Sequence, residues 1–281
     1  MGLLENKVAF ITGAARGQGR SHAVRLAKEG ADIIALDICS QDVKTIKYDL
    51  ATRADLDETV RLVEGLGGRI VAGVGDVREL AQVQKVVDEG LEAFGHIDIV
   101  CANAGVGSGA VSWEVTEENW REVIDINLTG VFNTTRATLP SMIERGQGGS
   151  IIMTSSTAGI IAYPNTAAYS ASKHGVIGLM KVLAQDLGPH NIRVNAVCPT
   201  NVNTRMIMNQ ALFDQFAPHI ENPGVDEVRG AFASLNALPD LPWIESNDVS
   251  EAVLWLSSDN AKFITGISLP VDAGNTVKKG Y

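Results

Sequence analysis

The feature that most narrows the choice of fold lies near the start of the chain. Lys7 to Thr12 (KVAFIT) is a short apolar run of β-forming residues, followed at once by Gly13-Ala14-Ala15-Arg16-Gly17-Gln18-Gly19. Ser21 to Lys28 then places Ala23, Val24, Leu26 and Ala27 at helical intervals, and Gly30 supplies a C-cap. Asp32 to Asp37 (DIIALD) is a second apolar run, and it ends in an acid. Strand, glycine turn, helix, strand and acid in this order predict the βαβ unit of a dinucleotide site. The glycines let the backbone approach a pyrophosphate, which sits on the helix N-terminus, where free N–H groups and the helix dipole favour an anion. The acid at Asp37 can accept hydrogen bonds from ribose hydroxyls.

The remaining elements continue the alternation. Cys39 to Leu66 is longer than a βαβ unit needs; within it Ile46-Lys47-Tyr48-Asp49-Leu50 precedes Thr52, an N-cap for a helix through Val60, Leu62 and Val63. Strands follow at Arg69–Val74, Asp98–Cys101, Gly149–Thr154, Asn191–Cys198 and Ile267–Val271. Between them Glu79–Phe94 is amphipathic, Thr116 opens a helix with Glu117 and Glu118 in its first turn, and Ala167–Leu187 is stopped by Gly188-Pro189. Asn247-Asp248 begins the last helix. The expected fold is α/β, a single Rossmann-like, doubly wound parallel sheet of about seven strands with helices on both faces. With 281 residues, 45% of them hydrophobic, and no internal repeat or linker, residues 1–281 read as one domain.

The candidate chemistry sits in Tyr169-Ser170-Ala171-Ser172-Lys173. Residues i and i+4 share a helix face, so phenol and ammonium can converge on one point. A phenol with its ordinary pKa of about 10 is a poor base at neutral pH, and a nearby cation favours the phenolate. Tyr and Lys at this spacing also occur on ordinary helix surfaces. Together with the glycine spacing Gly-x-x-x-Gly-x-Gly, however, the Tyr-x-x-x-Lys pair resembles the short-chain dehydrogenases/reductases, and the match runs from Val8 to Gly274. Within that family the chain is similar to the actinobacterial carveol-dehydrogenase-like branch, which is associated with the redox peptide cofactor mycofactocin.

The resemblance implies a catalytic set of Asn127, Ser156, Tyr169 and Lys173. Ser156 stands thirteen residues before Tyr169, the family's spacing for its substrate-binding serine, while Ser155 faces the other way because strand residues alternate. Asn127 corresponds to an Asn that disturbs its helix, binds a water and completes a proton relay with the lysine. The cofactor set is Gly13, Arg16, Gly17, Gln18, Gly19, Asp37, Ile38, Asp76, Val77, Asn103, Ala104, Gly105, Tyr169, Lys173, Pro199, Val202 and Thr204. By the resemblance Asp76 and Val77 lie at the adenine, and Val202 and Thr204 match the positions that hold the nicotinamide amide and a phosphate. Ser156, Tyr163 and Tyr169 are the substrate candidates, and residues 200–245 form a lid over the site. Two places depart from the family pattern: Ala102-Asn103 stands for Asn-Asn, and Pro199-Thr200 for Pro-Gly. The insertion after Cys39 is expected beside the adenine end of the cofactor. Ile160, Ile161, Tyr163 and the lid aromatics Phe213, Phe216, Phe232 and Trp243 suggest an apolar pocket. Val176, Leu179 and Leu183 are expected on the exposed side of the catalytic helix, facing a second subunit of a homotetramer.

NAD is the expected cofactor rather than NADP, because the Asp37 carboxylate suits free ribose hydroxyls and repels a 2′-phosphate. Arg16 could receive that phosphate; with the acid present it is expected to pair with a carboxylate or stack on adenine. The expected reaction is reversible hydride transfer between NAD and a hydrophobic secondary alcohol or ketone, a cyclic terpene alcohol such as carveol. The resemblance adds that NAD is held too tightly to exchange and passes its electrons to mycofactocin. An NADPH-dependent 3-oxoacyl or related carbonyl reductase shares every motif, and a non-catalytic NAD-binding regulator would be expected to lack part of the catalytic set. The net charge of −10 argues against nucleic acid. No apolar run reaches the roughly 20 residues of a membrane span. Five histidines and three cysteines (Cys39, Cys101, Cys198) show no metal-ligand spacing, and the odd cysteine count fits a reducing cytoplasm.

Overall fold

In the computed structural model, described for residues 2–278, seven parallel strands form one sheet in the order β3-β2-β1-β4-β5-β6-β7. The strands are β1 (Val8–Thr12), β2 (Asp32–Asp37), β3 (Ile70–Val74), β4 (Ile99–Ala102), β5 (Gly149–Thr154), β6 (Ile192–Pro199) and β7 (Ser268–Val271). The order reverses between β1 and β4, so the crevice of a doubly wound sheet opens at their carboxyl ends. Strand residues alternate between two apolar layers. Val8 and Phe10 of β1, with Ile34 and Leu36 of β2, face one layer; Ala9, Ile11, Ile33 and Ala35 face the other. Burial on both faces is why these strands read as unbroken apolar runs rather than alternating ones. Pro270 is tolerated in β7 because that strand is an edge, where a missing ladder donor costs little.

One face carries α3 (Leu80–Phe94), α4 (Glu117–Ile124), α5 (Gly130–Arg145) and α6 (Ala167–Asp186); the other carries α1 (Gly17–Lys28), α2 (Arg53–Glu64) and α9 (Ser246–Ser257). Thr52 caps α2 in a reciprocal capping box with Asp55, as its position suggested. Two expectations fail here. Helix α1 begins at Gly17 rather than Ser21, because the last two glycines already belong to its first turn. On α6, Val176 is fully buried and Leu179 and Leu183 pack partly buried against the core. The large apolar side chain that this helix exposes is Val182.

Between β6 and α9 the chain forms α7 (Gln210–Phe216) and α8 (Val225–Ser234), which enclose a small core of their own. The Phe216 and Phe232 rings lie 4.3 Å apart, and Trp243 meets Phe232 edge-on at 6.2 Å. The aromatic content of this segment is thus accounted for by internal packing, not by a display of rings toward a pocket. Among the described residues no helix is long and apolar enough to cross a membrane, and no group of three His, Cys, Asp or Glu side chains is placed to hold a metal ion.

Candidate active site

A cleft of about 440 Å³ runs along the carboxyl ends of β1, β2, β3 and β4. Its floor is the glycine turn. Gly13 adopts φ +67°, a conformation that side chains resist. Gly19 has no room for one, since a Cβ there would fall 2.0 Å from the Gly13 carbonyl oxygen. The first turn of α1 carries no acid and no side-chain cap, so its N–H groups remain open to an anion. Asp37 is buried at the end of β2, where Ala15 N–H donates to Oδ2 (2.9 Å) and Cys39 N–H to Oδ1 (3.3 Å). Burial pushes its pKa above the ordinary value, against the pull of these N–H groups and of Arg16.

Ile38, Asp76, Val77, Ala104, Gly105 and Thr204 also line the cleft. The Asp76 carboxylate is already bound by Arg78, through Nε at 2.8 Å and Nη2 at 2.6 Å. Asn103 ties three strands together: Nδ2 donates to the Thr12 carbonyl (3.0 Å), and Thr154 Oγ1 donates to Oδ1 (3.2 Å). Pro199 and Val202 are buried beyond the cleft proper. Val202 bridges Ile244, whose hydrogen bonds go to Asn201 and Asn203. That geometry turns the Val202 N–H and C=O to the opposite side.

The segment after β2 lies across this cleft as a strap with no regular secondary structure from Cys39 to Ala51. Side chains bonded to backbone hold it on several sides. Gln41 exchanges two hydrogen bonds with Leu50, at 2.9 and 2.8 Å. Glu122 of α4 accepts from Lys44 N–H (2.9 Å), Thr45 N–H (2.9 Å) and Thr45 Oγ1 (2.5 Å). Gly107 N–H donates to the Tyr48 hydroxyl at 3.0 Å, and burial raises that phenol to about 12. Arg16 donates to the Asp49 carbonyl, and Arg205 lies 3.7 Å from the Asp49 carboxylate. Arg16 therefore meets a backbone oxygen of the strap, where pairing with a carboxylate was one of two expectations.

Beyond Gly105 the four catalytic candidates converge. Asn127 is fully buried in a wide turn, Asp125–Thr129, that interrupts the helical path between α4 and α5. Its Oδ1 accepts from Val106 N–H (2.8 Å), and its Nδ2 donates to the Val106 carbonyl (2.9 Å) and to Ser172 Oγ (3.2 Å). Lys173 is 3% exposed and donates to the Thr154 carbonyl at 2.8 Å. A Cβ on Gly105 would lie 3.2 Å from Asn127 Oδ1 and 3.4 Å from Lys173 Nζ, so both side chains press on the bare face of that glycine. Ser156 Oγ accepts from Ala158 N–H (3.1 Å) and sits 3.5 Å from the Pro199 carbonyl, while Ser155 turns away to the Lys173 carbonyl (2.9 Å).

Lys173 Nζ lies 5.7 Å from the Tyr169 ring centroid. The expected lowering of the phenol by this cation is not what the buried pair does. Desolvation raises the Tyr169 pKa, the Ser156 hydroxyl opposes that rise, and desolvation also lowers Lys173 to about 8. Of the substrate candidates, Tyr163 has its hydroxyl occupied by Asn275 Oδ1 and Thr157 Oγ1. His174 is exposed and bonds the Ser170 carbonyl of its own helix, apart from this chemistry.

A family model described as short chain dehydrogenase matches residues 7–214. The chain belongs to the short-chain dehydrogenases. Among curated relatives of this family, a (-)-trans-carveol dehydrogenase of Rhodococcus erythropolis is 48% identical over 99% of this chain and all of its own length. Among solved structures, carveol dehydrogenase from Mycobacterium avium in complex with NAD superposes with a TM-score of 0.97 at 52% identity, covering 99% of this chain and 100% of the other. A short chain dehydrogenase from Mycobacterium paratuberculosis bound to NAD gives 0.91 at 45% identity, with the same coverage. Within the short-chain dehydrogenase frame, the sequence did not single out Glu122, Arg205 and Met206 as neighbours of the cleft or strap. Their only signal was position: Glu122 lies five residues before Asn127, and Arg205 and Met206 follow Thr204.

Proposed function

We propose that the protein interconverts a hydrophobic secondary alcohol and its ketone with NAD, which it retains beneath the strap through turnover. The observation that supports this reading is a cleft that runs from Asp37 past the glycine turn to Gly105, with Asn127 and Lys173 pressed against that glycine and Tyr169 beside Lys173 and Ser156. The residues present fit the dinucleotide: the turn excludes side chains at Gly13 and Gly19, the α1 N-terminus is open to a pyrophosphate, and Asp37 presents a buried acceptor for ribose hydroxyls. When bound, NAD supplies the hydride acceptor.

The chain's own groups handle the proton and the oxygen. Tyr169 takes the alcohol proton as its phenolate, a form that burial opposes and that the Lys173 ammonium together with the positive charge of bound NAD would favour. Ser156 donates to the reacting oxygen, which carries partial negative charge as the hydride leaves. Lys173 spends one of its three N–H donors on Thr154, which leaves two for a ribose hydroxyl and for a proton-relaying water. The Asn127 side chain is committed to Val106 and Ser172, so it holds the loop after β4 against α6. The wide turn around it leaves main-chain groups to position that water. Residues 200–245 close the substrate side.

The substrate class is a cyclic terpene alcohol of the carveol kind, argued from the carveol dehydrogenases among the relatives. Retention of NAD is argued from the strap, which is bonded to the glycine turn, to α4, to the loop after β4 and to Arg205. Retained NAD needs an external oxidant for its reduced form, and mycofactocin is the acceptor we assign. Asp37 and the commitment of Arg16 to Asp49 weigh against an NADPH-dependent 3-oxoacyl reductase. The intact set of four weighs against a non-catalytic regulator.

The test is to denature the purified protein and assay the nucleotide released, then supply carveol with an artificial electron acceptor. Close to one NAD per chain, with turnover that needs no added NAD, supports the reading. An empty protein that works rapidly with added NADPH on a 3-oxoacyl thioester would sink it.

A further inference from the structure

The substrate side carries a buried polar chain that the catalytic set does not use. Asn275, in the last described turn, is 4% exposed, and Asn236, just past α8, is 2% exposed. The Asn275 Nδ2 donates to the Leu235 carbonyl at 3.0 Å and lies 3.5 Å from Asn236 Oδ1. Two oxygens at that end fix the amide orientation, so its Oδ1 faces Tyr163. A carboxamide oxygen only accepts, so the single phenolic hydrogen goes to Asn275, and Thr157 Oγ1, 3.1 Å away, can donate to the phenol oxygen. At the other end Thr200 Oγ1 donates to Asn236 Oδ1 at 3.1 Å, and Asn236 Nδ2 donates to the Leu241 carbonyl at 2.7 Å.

These contacts form a closed circuit. Thr157 follows Ser156 in the chain, Thr200 follows Pro199, and the Pro199 carbonyl lies 3.5 Å from Ser156 Oγ. Thr200 stands at the very position where the chain departs from the family's Pro-Gly, and a glycine there would have no hydroxyl to close the circuit. Lys278 clamps the same segment from outside, donating to the Ser234 carbonyl (2.6 Å) and the Asn236 carbonyl (2.7 Å).

We propose that Thr200, Asn236, Asn275 and Tyr163 lock the C-terminal segment 272–278 against the substrate side of the site and thereby set how the alcohol fits. They are positioning residues and do not touch the reacting atoms. The lock consumes their polar atoms against one another, so the wall it builds offers hydrocarbon to the substrate. It suits a molecule whose only polar group is the oxygen held by Ser156 and Tyr169. The substrate part of this inference rests on the function proposed above; the lock itself does not.

Two readouts on the full-length, NAD-loaded protein separate them. Amide hydrogen exchange over Asn275–Val277 reports the lock, and steady-state kinetics with carveol report substrate fit. Tyr163→Phe removes the phenol's bonds with Asn275 and Thr157, and Thr200→Val removes the one bond to Asn236, so each is expected to speed exchange about tenfold or more and to raise KM about five- to tenfold. The pH profile of kcat stays in place, and Thr200→Ser behaves as wild type in both assays. Faster exchange in a protein that turns over no terpene alcohol supports the lock while the substrate reading fails. Unchanged exchange in both variants overturns the lock. Faster exchange with unchanged KM, or a displaced pH profile in Tyr163→Phe, overturns the positioning role.

Discussion

Removing the Tyr48 hydroxyl tests whether the strap retains the coenzyme. Tyr48→Phe keeps the ring but leaves Gly107 N–H without its acceptor at 3.0 Å. An N–H stripped of its partner costs about 1–3 kcal/mol when buried; Gly107 is only half-buried, which favours the lower half of that range. At about 1.4 kcal/mol per factor of ten, 1–2 kcal/mol corresponds to roughly 5- to 30-fold faster opening. Glu122→Ala removes three acceptor contacts from the other end of the strap. Because Lys44 is exposed and water can replace part of the loss, its effect should also be about 1–2 kcal/mol. The assay loads each protein with NADH, mixes it with excess NAD and follows the fall of bound-NADH fluorescence. Lys47→Ala, an exposed strap residue, serves as control and should match wild type. If both variants remain folded and release nucleotide at the wild-type rate, the strap does not hold the coenzyme and the reasoning is wrong.

Other outcomes follow from the same geometry. Asp37→Asn keeps an acceptor for Ala15 N–H but removes the charge, so the binding preference for NAD over NADP, measured as the ratio of Kd values on protein stripped of nucleotide, should fall by roughly 10- to 100-fold, consistent with about 1–3 kcal/mol of relieved repulsion. Gly105→Ala forces a methyl against Asn127 Oδ1 and Lys173 Nζ, both buried and unable to swing aside; kcat should drop about tenfold or more with little change in melting temperature. His22 is fully buried, bonded through Nδ1 to Ser250 Oγ (2.8 Å), with Nε2 unpartnered, and burial holds it near 4 instead of 6.5. The folded pKa is depressed because the charged form is disfavoured, so the unfolded chain binds the proton first. Stability contributed by the neutral ring is therefore full above about pH 6.5 and falls as pH drops toward 4, by about 2 kcal/mol between about pH 7 and pH 5. His22→Leu should remove that slope from urea midpoints measured across the interval; an unchanged slope would assign it to other groups.

Much of the fold was legible because its strands are buried on both sides and its punctuation is strong. The run from Lys7 to Asp37 yields strand, turn, helix and acid almost residue for residue, since glycine spacing and apolar periodicity reinforce each other there. The start of α1 was misplaced because Gly17 and Gly19 look like loop residues, whereas an anion-binding helix begins with the glycines themselves. Val176 was assigned to the wrong side for a different reason. A helix with apolar residues on most of its circumference gives no phase, and only packing against the sheet says which side is inward. The wide turn at Asn127 is invisible to periodicity, since a single extra residue per turn shifts the phase of everything after it. Spacing alone offered the Tyr169–Lys173 pair; Asn127 and Ser156 entered as candidates only through the family resemblance. The strap contacts and the Thr200–Asn236–Asn275–Tyr163 circuit were not legible, because their partners lie tens of residues apart and each is, on its own, an ordinary polar residue.

The strap also has a kinetic consequence. A dehydrogenase that releases its coenzyme after each turnover needs two ligands present together, and its initial-rate plots intersect. If the coenzyme stays beneath Cys39–Ala51 as proposed, the substrate side is the opening left to both reactants. The alcohol and the electron acceptor must then use that opening in turn, each leaving before the other enters. Such a molecule works by a ping-pong scheme with parallel initial-rate lines, and its acceptor competes with its own alcohol for the same bay.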